Sequence, residues 1–322
     1  MFLKYLISTI FFCIISFGNG ICEDCNLDEV HLHLFGQIEN IKQSLQIVNN
    51  RMDVINDRYS SIIDKKETCE NPPKPSRSMF DIRFDSLPKH CATNAVPPSS
   101  CAEATKCTRT SGIYNITDYR YSNQTFTVYC DYDYNDGDWL YFLTRFNGRE
   151  NFKRTWNEYV YGFGNVANEY WLGLERLYAL TNYYGPQELI VYIENFEGIA
   201  KYARYSDFVI GNASEKYKLK TLGEYSGTAG DSMSNQFGCY FTTYDNDNDM
   251  NDPLNCAQEY GGGFWFNSCT TANPTGLYKR GLHIYNGDNG DIGSFWLDFG
   301  GWNYSHKTII FMIRRKSAIK LK

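Results

Sequence analysis

The run Tyr244-Asp-Asn-Asp-Asn-Asp-Met-Asn-Asp-Pro253 places four carboxylates, Asp245, Asp247, Asp249 and Asp252, within eight residues. Carboxylates this close repel one another unless water or a cation neutralises them. A donor set made of oxygen alone selects a hard cation, which points to calcium. An EF-hand is excluded, because counting from Asp245 the sixth residue is Met250 where that loop needs Gly, and the twelfth is Cys256 where it needs Glu. On composition alone a solvated acidic loop is the simpler reading. No constellation for catalysis is present: there is no zinc-protease helix, nucleophile elbow or phosphate loop, and His90, His283 and His306 stand apart from one another. His31 and His33, two residues apart, do not face each other on a helix. The expectation is a binding protein and not an enzyme. A net charge of −6 offers no basic face to nucleic acid.

The elements that must position this loop begin with a leader. Lys4 precedes an uncharged apolar run, Leu6 to Phe17, that ends in Gly18, Asn19 and Gly20, the pattern of a signal peptide over residues 1–20. No later stretch reaches the roughly 20 apolar residues of a membrane span. The chain is therefore expected to be secreted, extracellular and without a membrane span. Of eleven cysteines, Cys13 leaves with the leader, and the other ten enter an oxidising compartment, where an even number is expected to pair. Four sequons become available to N-glycosylation there, at Asn115, Asn123, Asn212 and Asn303.

Residues 21–70 read as a cysteine-flanked coiled coil. Between 26 and 66 there is no proline, and from Leu27 to Ile62 apolar residues recur at alternating spacings of 4 and 3, with His31 the one polar member of the seam. With Ile38 at a, the d positions are Leu34, Ile41, Val48, Ile55 and Ile62. β-Branched residues at d tilt a parallel coil away from dimers, so a homotrimer or homotetramer is predicted. Cys22 and Cys25 before the seam and Cys69 after it are placed for bridges between chains. The segment 71–98 opens on Asn71-Pro-Pro-Lys-Pro75 and reads as a linker.

Residues 99–322 carry short aromatic and β-branched runs such as Thr125-Phe-Thr-Val-Tyr129 and Leu189-Ile-Val-Tyr-Ile193, punctuated by Gly, Asn and Asp. The fold class expected is α+β, an antiparallel sheet with irregular loops. Here a family resemblance enters. Ser111-Gly-Ile-Tyr114, Val128-Tyr-Cys-Asp131, Gly162-Phe-Gly-Asn165, Glu169-Tyr-Trp-Leu-Gly-Leu174, Ala229-Gly-Asp-Ser232, Asp245-Asn-Asp-Asn-Asp249 and Asn255-Cys-Ala257 resemble, in order and spacing, the fibrinogen C-terminal domain of fibrinogen chains, ficolins, tachylectins and angiopoietins. The resemblance implies disulfides Cys101–Cys130 and Cys256–Cys269. It leaves Cys107 and Cys239 outside the family pattern, with a third bridge between them open. It also implies calcium ligation by the Asp247 and Asp249 side chains, with backbone carbonyls near Asn251 and Pro253.

The family's ligand pocket lies beside that loop. Matching positions are Phe264, Trp265, the Ser268–Cys269 peptide, Thr270, Tyr285, Trp296 and Trp302. Members hold the peptide before the cysteine cis, with its N–H aimed into an aromatic cage that suits an N-acetyl group. The sequence departs from the pattern at Thr270, where many acetyl-binding members have His, and at Gly290, where a pocket tyrosine is usual and Tyr285 is the substitute. It departs again at Trp302, where fibrinogen's peptide pocket has Arg. For Trp296 and Trp302 the alternative is core packing. The function expected is a secreted, oligomeric, calcium-dependent lectin for acetylated glycans on microbial or cell surfaces, acting in innate pattern recognition. The alternatives are a receptor ligand of angiopoietin type and an extracellular-matrix adhesion protein.

Overall fold

The computed structural model describes Lys42, residues 97–284 and residues 292–316. The leader, the heptad seam, the cysteines at 22, 25, 69 and 91, Tyr285 and Gly290 lie outside the described residues, Lys42 being the one seam-region residue described. The chain divides into two compact units, Met1–Cys69 and Glu70–Lys322.

The strands of the second unit, in chain order, are β1 Gly112–Asp118, β2 Gln124–Asp131, β3 Trp139–Arg145, β4 Phe163–Gly164, β5 Tyr170–Trp171, β6 Gln187–Glu194, β7 Ala200–Tyr205, β8 Phe208–Ile210, β9 Leu219–Leu222, β10 Tyr225–Gly227, β11 Ala272–Asn273, β12 Gly281–Leu282, β13 Phe295–Trp296, β14 Tyr304–Ser305 and β15 Thr308–Arg315. The helices are α1 Cys101–Thr108, α2 Trp156–Tyr161, α3 Leu174–Tyr183 and α4 Cys256–Tyr260. The large sheet runs β1-β2-β3-β15-β6-β7-β10, with β5 on β3 and β4 on β5, and every pairing in it is antiparallel. Its centre is built from continuous apolar runs. β3 and β6 are buried along their whole length, as is β15 from Thr308 to Ile313. Strands that bury both faces lose the apolar and polar alternation of a half-exposed strand, so side-chain direction at the centre cannot be read from period. Strand β15 sits between β3 and β6, so the sheet is completed by a segment far from both neighbours in sequence.

Local caps explain where the helices start. Ser100 accepts the N–H of Glu103 at α1, Thr155 and Glu158 form a reciprocal capping box at α2, and the Asn255 side chain accepts the N–H of Gln258 at α4. A disulfide joins Cys101 of α1 to Cys130 of β2. Cys107 is also disulfide-bonded, whereas Cys239 is a buried free thiol. The bridge left open between those two cysteines is therefore not formed. Cys239 packs in the core, where free cysteine behaves as a small apolar residue.

The loop after β3 is held by one carboxylate. Glu169 accepts the N–H groups of Phe146, Asn147 and Gly148 on Oε1 and of Glu150 on Oε2, at 2.7 to 3.0 Å. Gly148 has φ +71°, and a Cβ there would lie 2.5 Å from the Tyr278 ring, so the loop passes this point only as glycine.

Candidate functional site

The acidic run folds around an amide, not around a carboxylate. Buried Asn248 donates from its side chain to the Phe241 carbonyl at 2.9 Å, while its N–H donates to Thr242 Oγ1 at 3.1 Å. That turns the flanking acids outward in alternation. Asp245 is committed to structure: it accepts the N–H of Trp156, the first residue of α2, at 2.9 Å and the Thr243 hydroxyl at 2.8 Å. Asp247 is exposed and accepts the N–H of Asp249 at 3.2 Å. Asp249 is half-buried; it accepts the N–H of Asn251 on Oδ1 and of Cys256 on Oδ2, both at 2.8 Å. Burial first, and the adjacent Asp247 charge as well, push the Asp249 carboxyl above its ordinary value against the pull of those two donors. Among the described residues no ion pair reaches either acid.

This donor set fits a hard cation. Two neighbouring carboxylates without a cationic partner leave negative charge uncompensated. No group of three or more His, Cys, Asp or Glu gathers among the described residues, so a cation at Asp247 and Asp249 would draw its remaining ligands from carbonyl oxygens and water, as calcium does. Asn251 and Pro253 follow in the same loop. The Asn251 carbonyl already accepts the N–H of Leu254 at 2.6 Å and keeps one lone pair, while Pro253 is exposed after a cis Asp252–Pro253 bond.

The acidic loop is tied to the segment beside it at three points. The N–H of Met250 donates to the Asn267 carbonyl at 3.0 Å. The Asn251 side chain accepts the Ser268 hydroxyl at 3.1 Å and donates to Cys269 Sγ at 3.3 Å. Cys269 is disulfide-bonded to Cys256, which opens α4. The Ser268–Cys269 peptide is cis, Ser268 is exposed and Cys269 is half-buried.

The aromatic positions divide between core and surface. Phe264, Trp265 and Trp296 lie in the core. The indole N–H groups of the two tryptophans are satisfied internally, Trp265 on the Tyr217 carbonyl at 2.8 Å and Trp296 on the Gly230 carbonyl at 2.9 Å. Buried rings, the two indoles with internally satisfied N–H groups, are core packing. Thr270 is buried too, its hydroxyl on the Ala272 carbonyl at 2.6 Å, and it presents nothing where a histidine is usual. Trp302 is the outward member, 45% exposed and packed on Phe295 with ring centroids 5.0 Å apart. β11 and β13 pair Asn273 with Phe295, so the ring beneath Trp302 sits opposite the strand that begins three residues after Cys269. Tyr285 lies outside the described residues. Of the sequons, Asn115, Asn123 and Asn303 are exposed, and Asn212 is half-buried at the cap of a 3-10 turn.

Sequence reasoning missed Asn248 and Phe295, and it named Asn251 for its backbone carbonyl but not for the side chain that reaches Ser268 and Cys269. Asn248 left a signal, since amides alternate with the acids from 245 to 249 and an amide alone of the two can both donate and accept. Phe295 left none.

Comparison with known proteins places the globular part of the chain in a family. The family model for the C-terminal globular domain of fibrinogen beta and gamma chains matches residues 98–316. Human angiopoietin-related protein 2 is 37% identical over 262 residues, covering 81% of this chain and 52% of that protein. Ryncolin-4 of Cerberus rynchops is 40% identical over 211 residues, 65% of this chain and 58% of that protein. This chain thus spans little more than half the length of either relative. The solved fibrinogen-like globe domain of human ANGPTL2 superposes with a TM-score of 0.65 at 39% identity, covering 69% of this chain and all of that one. Sequence motifs, sheet order and these matches agree, and the chain belongs to the fibrinogen C-terminal domain family.

Proposed function

We propose that this chain is a secreted, homo-oligomeric recognition protein, not an enzyme, that binds acetylated glycans in a calcium-dependent manner through the surface around Ser268, Cys269 and Trp302. The observation that carries the reading is Asn251, whose side chain spans from the acidic loop to both Ser268 and Cys269. A cation at Asp247 and Asp249 would fix the loop that fixes the recognition segment. Trp302 supplies an exposed apolar face for an N-acetyl methyl, and the Ser268 segment supplies polar groups for its carbonyl. One shallow site of this kind binds weakly, and a trimer or tetramer facing a repetitive glycan surface gains a factor of ~10² or more by avidity.

The test is retention of the full-length oligomer on acetylated resin, with calcium and with a chelator. Trp302→Ala is expected to weaken retention about tenfold, the loss of roughly 1.4 kcal/mol of aromatic contact per site. Unchanged retention in that variant, or in chelator, overturns the reading. A receptor-ligand role of angiopoietin type is the second reading. It is favoured by the match to human angiopoietin-related protein 2, which extends over 81% of this chain and so beyond the globular domain. Binding to a cell-surface protein with no affinity for acetylated resin would select it.

A further inference from the structure

A second exposed aromatic surface lies on other elements. Tyr121, in the turn between β1 and β2, packs against two tyrosines of α3, edge-on to Tyr178 at 5.5 Å between ring centroids and tilted on Tyr183 at 5.2 Å, with Tyr178 and Tyr183 edge-on at 5.9 Å. Tyr121 and Tyr183 are 45% and 39% exposed. The arrangement is fixed: the Tyr121 hydroxyl donates to Glu175 Oε2 at 3.0 Å, and Arg120 of the same turn donates to the Tyr183 carbonyl at 2.8 Å. Two exposed tyrosines braced by the half-buried Tyr178 form a surface to which a ligand can bind without ordering any side chain.

One sequon borders it. Asn123 follows Tyr121 by two residues, with φ +53° at the end of the turn, and Asn123, Gln124 and Thr125 are all exposed. The Asn115 and Asn303 sequons are built differently. Thr117 of the Asn115 sequon and Ser305 of the Asn303 sequon are buried, and the residues two before these asparagines are Ile113 and Gly301. Asn123 alone has an aromatic ring at that position.

We infer that Asn123 carries an N-linked glycan whose innermost N-acetylglucosamine packs on the Tyr121 ring, with Tyr178 and Tyr183 holding that ring in place. In the transfer, the Asn123 amide nitrogen bonds to the anomeric carbon of a lipid-diphosphate-linked oligosaccharide. The bond from that carbon to the diphosphate oxygen breaks, the lipid diphosphate leaves, and the nitrogen gives up one proton. A pyranose presents a C–H face and an acetyl methyl, both apolar, and an aromatic face is their natural partner. The inference rests on the secretion included in the proposed function but not on its glycan-binding site.

The test uses the full chain expressed in a eukaryotic host and recovered from the medium, with glycopeptides mapped by mass spectrometry. Asn123 is expected to be occupied. Enzymatic release of its glycan, in a chain whose other sequons are removed by Asn115→Gln, Asn212→Gln and Asn303→Gln, is expected to lower the thermal midpoint by about 2–4 °C. Tyr121→Ala abolishes that difference and Tyr121→Phe preserves it. An equal shift in Tyr121→Ala overturns the inference. Should Tyr121→Ala not be secreted, the innermost acetyl methyl resonance of the three-substitution chain decides: an upfield ring-current shift supports the packing, and its absence overturns it. A chain retained in the cytosol sinks the secreted reading and this inference together. A secreted chain with bare Asn123 sinks this inference alone and leaves the tyrosines as a surface for another molecule.

Discussion

Glu169→Ala is expected to destabilise the globular domain by about 3–5 kcal/mol, the cost of removing one member of a buried ion pair, which for a domain of this size lowers the thermal midpoint by roughly 10 °C. The Glu169 side chain is inaccessible, as is nearly all of Arg145, whose Nε lies 3.9 Å away. Without the carboxylate, the N–H groups of Phe146, Asn147, Gly148 and Glu150 lose their acceptor and the guanidinium keeps the carbonyls of Pro274 and Gly276 and the faces of Phe152 and Tyr278, none of which carries a compensating charge. Burial alone would raise the Glu169 carboxyl, but Arg145 and the backbone donors outweigh it and hold it below the ordinary 4.5. A depressed carboxyl contributes stability that is complete above its unfolded value and is lost as pH falls through the folded one. Acid unfolding is therefore expected below about pH 4.5, and Glu169→Gln should flatten that pH dependence by about one proton. A midpoint within about 1 °C of the parent for Glu169→Ala would remove this account. The consequence reaches the site, because Pro274 and Gly276 follow β11, the strand opposite Phe295 and hence Trp302.

How much of this was legible in the sequence depends on which physical rule was available at each position. The sheet's central strands were visible as apolar runs, and Cys101, Cys130, Cys256 and Cys269 stand in motifs whose order and spacing match the family. The acidic loop was visible as a concentration of charge that needs compensation. Side-chain direction was not. Trp265, Trp296 and Trp302 are chemically alike in sequence, and no alternation separates them, since the two-residue strands β11, β13 and β14 are too short to show a period. Burial distinguishes them by whether the indole N–H finds an internal carbonyl, a long-range fact: the partner of Trp296 is Gly230, and that of Trp265 is Tyr217. Cysteine pairing beyond the motifs was illegible for the same reason, because a bridge demands Cα atoms within about 7 Å and only the fold sets that distance. Cys239, left as a free thiol in the core, is the example.

Calcium should raise the thermal midpoint of the domain, and Asp247→Asn with Asp249→Asn should abolish the rise while weakening calcium binding at least ~10²-fold, because a site built on two carboxylates loses its whole formal charge. At a calcium concentration 100 times the dissociation constant the linked stabilisation is about 2.7 kcal/mol, large enough to read by calorimetry. The sharper readout is local. The Met250 N–H bonded to the Asn267 carbonyl, and the Asn251 amide bonded to Cys269 Sγ and Ser268, lie between the acids and the recognition segment. A cation that fixes Asp249 fixes the Asn251 N–H bonded to it, and through that residue the position of Ser268. Backbone hydrogen exchange at Met250 and Asn251 is therefore expected to slow on adding calcium and to stay fast in the double variant. Asp245→Asn makes the contrasting case: its carboxylate is committed to the N–H of Trp156 and the Thr243 hydroxyl, so it should alter the seating of α2 and leave calcium affinity nearly unchanged. If calcium bound but exchange at Met250 and Asn251 did not respond, cation and recognition segment would be independent, and calcium dependence of ligand binding would lose its structural basis.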